Sequence, residues 1–228
     1  MNILLTNDDG YNSKGINILK EKLSKYGKVV IVAPKEMMSA KSVAITLGKA
    51  VEVKKVEDDV FYMDGTPADC VAFGLSSLNI DFDLVVSGCN DGFNISYDIM
   101  YSGTVGACLQ ALTYRKPAVA ISCQSNFEII EDHFDEVMDY VFKNKLLSTE
   151  YLLNINFPLG YEIKSIEMTN IYYRKEVTYY VKSEGDTYFA DRDINDEICE
   201  EVGTDVYAVH HGQVSITKLA KTSLYKGV

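Results

Sequence analysis

Two adjacent acids, Asp8 and Asp9, follow a short apolar run, Asn2 to Thr6, within Asn7-Asp8-Asp9-Gly10. Neighbouring carboxylates at the end of a buried strand repel each other and lose hydration, so they call for a compensating cation. Hard divalent ions such as Mg2+ or Mn2+ favour oxygen donors of this kind. An Asp-Gly turn closed by its own hydrogen bonds is the simpler reading of the same residues. Three more polar, glycine-containing or hydroxyl-rich turns follow apolar runs. Ala33-Pro34 leads into Met37-Met38-Ser39-Ala40-Lys41-Ser42, where Ser39 and Ser42 bring hydroxyls and Lys41 a positive charge. Ser87-Gly88-Cys89-Asn90-Asp91-Gly92-Phe93-Asn94 has small residues that let the backbone approach a ligand, and Asn90 offers a neutral oxygen. Tyr101-Ser102-Gly103-Thr104-Val105-Gly106 opens a helix, where free N–H groups and hydroxyls suit an anion, although the spacing is not that of a P-loop. Each turn alone reads equally well as an ordinary loop or cap. Together they supply two carboxylates, hydroxyls, an amide and a helix N-terminus, a set suited to a divalent metal that holds a phosphate and polarises a water. Gly203-Thr204-Asp205 and the pair His210-His211 are weaker signals, and the histidines read as structural or exposed.

The elements that must position these residues alternate along the first two thirds of the chain. Apolar runs at 2–6, 29–33, 84–87, 118–122 and 152–157 read as buried strands. Helical spacing or capping signals mark 15–26, 104–112 and 127–142. A further helix running to about Leu78 is announced by Thr66-Pro67-Ala68-Asp69, an N-cap, a Pro at N1 and an acid at N3. Such alternation implies an α/β fold, a Rossmann-like, mostly parallel sheet covered by helices on both faces, with ligands bound beyond the carboxyl ends of the strands. The pattern changes near residue 158. Residues 163–168, 177–181, 205–209 and 214–217 read as short strands without clear helices between them, and the last residues as an exposed tail. The expected organisation is a core over 1–158 and a β-rich C-terminal extension over 159–228, completing one domain.

Composition narrows the function. The 228 residues carry 22 Lys and Arg against 33 Asp and Glu, a net charge of −11. That balance argues against polymeric nucleic acid as the main partner, since such binding rests on cationic contacts to phosphates. Residues 183–205 hold nine acids and one base and so carry most of the excess; this run reads as a solvated hairpin or loop. A small phosphate ester remains compatible, with a metal and a helix N-terminus supplying local positive potential. No apolar run reaches the ~18 residues of a membrane span, and the N-terminus lacks the basic region of a secretory signal. Five widely spaced cysteines, an odd number with no C-x-x-C pair, read as buried thiols of a cytoplasmic protein.

With these residues in view the sequence resembles the SurE family of survival proteins, metal-dependent 5'/3'-nucleotidases. The resemblance is carried in order by Ile3 to Gly10, Val32-Ala-Pro34 with Ser39, Gly65-Thr-Pro-Ala-Asp-Cys70, and Val86-Ser-Gly-Cys-Asn90 with Asn94. It continues through Tyr101-Ser-Gly-Thr-Val105, Leu153-Asn-Ile-Asn156 with Pro158, Gly203-Thr-Asp205 and Val214-Ser-Ile-Thr217. It implies one divalent metal per subunit, Mg2+ or Mn2+, held by Asp8, Asp9, Ser39 and Asn90, with Asp8 and Asp9 as the catalytic pair. Asn94, Ser102, Gly103 and Thr104 would hold phosphate oxygens. Implied substrates are nucleoside 5'- and 3'-monophosphates and, as in several members, polyphosphate; the implied assembly is a homodimer or homotetramer. The chain departs from the family pattern at Ala40, Cys89, Gln110-Ala111 and Lys218, and across 170–200, none of them an implied ligand.

Overall fold

A computed structural model of the chain describes residues 1–173, 176–194 and 199–220. The first apolar run is β1 (Asn2–Thr6); α1 (Lys14–Ser24) starts at Ser13, whose hydroxyl caps it, and β2 (Lys28–Pro34) follows. Two strands come next that hydrophobic runs do not announce, β3 (Val53–Glu57) and β4 (Val60–Met63). The residues of β3 from Lys54 on are exposed, which is why it lacks an apolar signature. Then come α2 (Pro67–Ser77), with the expected capping box between Thr66 and Asp69, and β5 (Leu84–Asp91). The next elements are α3 (Asp98–Tyr101), α4 (Gly103–Thr113), β6 (Ala118–Cys123), α5 (Glu128–Lys143) and β7 (Tyr151–Asn156). The chain continues through β8 (Ser165–Thr169), β9 (Glu176–Lys182), β10 (Tyr188–Ile194), α6 (Asp205–His210) and β11 (Gln213–Ala220).

Nine strands form one sheet in the order β3-β4-β2-β1-β5-β6-β7-β11-β8. From β4 to β7 the neighbours are parallel; β3 and β11 run antiparallel to their neighbours β4 and β7, and β8 is parallel to β11. Alternating side chains feed two cores, as the strand period of two requires. Ile3 and Leu5 face Leu19 of α1 and Phe134 of α5, whereas Leu4 faces Val71 of α2 and Val105 of α4. The expected doubly covered α/β architecture is therefore present. From β1 the chain moves outward through β2 to the β3–β4 edge, then returns to place β5 on the other side of β1. The gap between β1 and β5 is thus a switch point, where ligands bind in such sheets.

The C-terminal part holds one correction. Residues 205–209, expected as a strand, form helix α6, so this part is not free of helices. The Thr204 hydroxyl accepts from Tyr207 N–H at 3.3 Å, and Asp205 supplies an acid to the first turn. Val206 and Val209, three apart, share one apolar cluster with Ile95 and Cys199, which is helical spacing. The acidic run is a hairpin only as far as β10, which pairs antiparallel with β9 in a separate two-stranded sheet. It is not solvated throughout, for Asp205 at its end is fully buried. The expected exposed tail lies outside the described residues. All five cysteines are buried and free. Among the described residues no helix is long and apolar enough to cross a membrane.

Candidate active site

The turn after β1 is closed by Asn7. Its Nδ2 donates to Gly10 O at 2.9 Å and to Ser13 Oγ at 2.8 Å, and its Oδ1 accepts from Gly10 N–H at 3.2 Å. That side chain ties the turn to the start of α1 and presents Asp8 and Asp9 at the switch point. Asp8 is buried, and its Oδ1 accepts from the Thr104 hydroxyl at 2.5 Å. Its carboxylate also takes the Thr104 backbone N–H. Thr104, expected to hold a phosphate oxygen, thus commits both its donors to Asp8. A Cβ on Gly103 would stand 2.9 Å from Asp8 Cβ and 3.1 Å from its Oδ2, so a glycine lets the first turn of α4 close on the acid.

Burial pushes the Asp8 carboxyl up to about 6; the charge of Asp9 adds to this, and the Thr104 hydrogen bonds oppose it. Asp9 is half-buried and also raised, chiefly by burial. The neighbouring Asp91 acts on Asp9 in both senses, because its N–H donates to the carboxylate while its own charge repels it. Asp91 is in turn held by Ser125, whose N–H and hydroxyl donate to its Oδ1 at 2.8 and 3.2 Å.

The loop carrying Ser39 is stitched down at several points. Met38 N–H donates to Asp8 O at 2.7 Å, and Ser42 N–H to Tyr101 O at 2.9 Å, so exposed Ser39 lies between two anchors. Farther on, the N–H and hydroxyl of Thr46 donate to the buried Asp69 carboxylate at 2.8 and 2.7 Å, and the Thr66 hydroxyl donates to Ala44 O at 2.6 Å. On β5, the Asn90 amide nitrogen donates to Gly92 O at 2.8 Å, which fixes the end of the amide that carries oxygen. Asn94 is buried in the following loop, and Ser102 caps α4 by accepting from Val105 N–H at 3.1 Å. Asp8 and Asp9 thus stand on the loop beyond β1, Asn90 at the end of adjacent β5 and Asn94 on the loop after it, with Ser102, Gly103 and Thr104 at the neighbouring helix start. Backbone hydrogen bonds bring the Ser39 loop to both.

The donor types fit a hard divalent cation. Two acids held above their ordinary range need positive charge, and Ser39 and Asn90 add neutral oxygens. Among the described residues no group of three or more His, Cys, Asp or Glu side chains is placed to hold a metal. His211 stacks on Tyr207 with ring centroids 3.8 Å apart and has its Nδ1 2.8 Å from Tyr207 O, a structural role.

Sequence reading singled out no role for Asp91, Ser122, Asn154 and Asn156. Asp91 is hidden among ordinary turn residues. Ser122 and the two asparagines carry a usable signal: they are polar residues within strands whose other positions are apolar.

The family model described as survival protein SurE matches residues 3–178. A 5'-nucleotidase SurE of Clostridium botulinum is 38% identical over 236 residues, covering 96% of this chain and 92% of that protein. A 5'-nucleotidase SurE of Clostridium beijerinckii is 35% identical over the same shares. The crystal structure of the SurE protein from Aquifex aeolicus superposes with a TM-score of 0.83 at 34% identity, covering 99% of this chain and 97% of that one. Matched by the family model over residues 3–178 and by these relatives over nearly all of the sequence, the chain belongs to the SurE family.

Proposed function

We propose that this protein is a metal-dependent nucleotidase that hydrolyses nucleoside 5'- and 3'-monophosphates to nucleoside and phosphate. One observation carries the reading: two adjacent carboxylates, both raised, lie at the switch point of the sheet against the N-terminal turn of α4. Relatives named 5'-nucleotidase SurE support the choice of substrate. Asp8, Asp9, Ser39 and Asn90 would hold one Mg2+ or Mn2+ ion. Bound there, the ion would supply Lewis-acid stabilisation of the charge on the phosphoryl group.

The chain's own residues bind and orient. The start of α4 offers the Gly103 backbone N–H and the Ser102 hydroxyl to phosphate oxygens, and Asn94 offers an amide; the Ser102 N–H is spent on Asp98 O at 3.1 Å. Thr104 holds Asp8 in one orientation through its hydroxyl. Water is the nucleophile in this reading, because a carboxylate engaged by hydrogen bonds and by ligation is a poor one. A single in-line attack by water then inverts the configuration of an isotopically chiral phosphoryl group; retention would point to an aspartyl-phosphate instead. We further propose a homodimer or homotetramer working in the cytoplasm, with which buried, unpaired thiols agree.

The test is phosphate release from a panel of nucleoside 5'- and 3'-monophosphates and polyphosphate, with Mn2+, with Mg2+ and with EDTA. Release should require the metal and favour nucleotides by specificity constant, and Asp9→Asn should lower it by at least about a hundredfold. Wild-type turnover in Asp9→Asn, or in EDTA, would overturn the metal assignment. A preference for polyphosphate would make the protein a broader phosphatase, and binding without release a nucleotide sensor.

A further inference from the structure

Asn94 is gripped by three buried polar side chains from two strands. Its N–H donates to Asn156 Oδ1 at 2.8 Å, and its carbonyl accepts from Asn156 Nδ2 at 3.1 Å and from Asn154 Nδ2 at 2.7 Å. The side chain of Asn156 thus meets the main chain of Asn94 as a second peptide would, donor to acceptor and acceptor to donor. The Asn94 side chain is fixed as well, its Nδ2 donating to Ser122 Oγ at 2.7 Å. Asn154, Asn156 and Ser122 are fully buried, and Asn94 is 4% exposed. From the other side, Ser96 N–H donates to the buried Asp205 carboxylate at 2.8 Å.

The placement of these groups is unusual for a core. Ala118 and Ala120 of β6 and Leu152 of β7 face the α2–α4 core. By strand alternation, Ser122, Asn154 and Asn156 continue those columns toward the carboxyl edge, on the face where α4 begins. Aliphatic side chains there would bury without needing partners, whereas buried amides are tolerated only when hydrogen-bonded. Here the hydrogen bonds of the Ser122, Asn154 and Asn156 side chains converge on one residue of the site, although Asn154 Oδ1 is left without a partner. An amide nitrogen carries two hydrogens. With one taken by Ser122 and the main chain locked, the direction of the other is set.

We propose that Asn156, with Asn154 and Ser122, is a positioning residue for the site: it aims the Asn94 amide at the phosphate of the substrate. The inference rests on the reading of Asn94 as a phosphate-binding residue. It assigns strand β7, which contributes none of the inferred ligands, a part in substrate affinity.

The test is a double-mutant cycle on the full chain loaded with Mn2+. Calorimetry measures inorganic phosphate affinity and Mn2+ affinity, and thermal melting checks the fold. Asn94→Ala should weaken phosphate about tenfold, the worth of one hydrogen bond to a charged group. Asn156→Ala should do the same, the two together should be no worse than either alone, and Mn2+ affinity should stay within about twofold throughout. Should Asn156→Ala fail to fold, Ser122→Ala takes its place in the cycle, since it removes only the acceptor of one Asn94 hydrogen. Losses that simply multiply in the double variant would mean that β7 acts by general destabilisation, and the proposal would fall. Unchanged phosphate affinity in Asn156→Ala or Ser122→Ala, beside a loss in Asn94→Ala, would also overturn it. If Asn94→Ala itself leaves phosphate affinity intact, the phosphate role of Asn94 falls and takes the positioning role with it. Metal-dependent nucleotide hydrolysis would still stand on its own measurement.

Discussion

Asp8 carries the tension between burial and chemistry at this site. Its folded carboxyl titrates at about 6 against an ordinary 3.8, mainly because it is buried and secondarily because Asp9 is charged beside it. Between those values the folded chain keeps a proton that the unfolded chain has released, so stability falls as pH rises across the window. Above about pH 6 the full cost is present, on the order of 3 kcal/mol in the absence of metal. Metal-free protein in EDTA should therefore melt several degrees lower at pH 7.5 than at pH 4.5, Asp8→Asn should flatten that dependence, and Mn2+ should restore the wild type at pH 7.5. Melting curves of wild type and Asp8→Asn that run parallel across this range would contradict it. The Asp8-Asp9 pair was legible in the sequence because adjacent acids after an apolar run state their problem openly. The effect of Asp91 on Asp9 was not, because it depends on how β5 ends: Gly92 N–H donates to Cys123 O at 2.7 Å and holds the strand alongside β6 beyond its apolar stretch.

Elements were readable where one physical signal dominated. The five buried parallel strands and the capping box of α2 stood out because their residues do one thing each. Strand β3 did not, being an exposed edge, and α6 was misread because Val206 and Val209 suit a strand by propensity while their spacing and the Thr204 cap make a helix. Helix α1 shows how an element's own preference can be overruled. Replacing a helical glycine by alanine ordinarily stabilises by about 1 kcal/mol. At Gly15 the added methyl would lie 2.0 Å from Cys89 O and 3.1 Å from the Phe127 ring, so α1 would have to leave β5 next to Asn90. Gly15→Ala should thus destabilise by about 2 kcal/mol, measured by urea denaturation, and lower metal affinity along with stability. A variant more stable than wild type would show that the α1–β5 contact is looser than described.

For the whole molecule, residues 183–205 are the densest acidic stretch, with nine acids and one base. Strand β10 belongs to this acidic stretch, whose one base, Arg192, reaches back to the core. Its Nη1 lies 2.7 Å from Asp98 Oδ1, and its guanidinium stands 5.6 Å from the centre of the Tyr101 ring, next to the start of α4. The pair is partly exposed and worth about 1 kcal/mol. Arg192→Ala, or 0.5 M salt with the wild type, should speed proteolysis within residues 183–187 about fivefold, and equal cleavage rates would deny the contact a role in holding the arm. Arg192 thus ties the acidic stretch to the start of α4. The order of the sheet has a consequence for the timing of synthesis. Strand β8 precedes β11 in the chain by more than forty residues, yet among the described residues β11 is its one neighbour in the sheet. As the chain leaves the ribosome, β8 has no place in the sheet, and the edge of β7 stays open, until β11 emerges. A messenger cut short before β11 would yield a protein with a complete set of inferred ligands and an unsealed sheet, a substrate for quality control despite its intact chemistry.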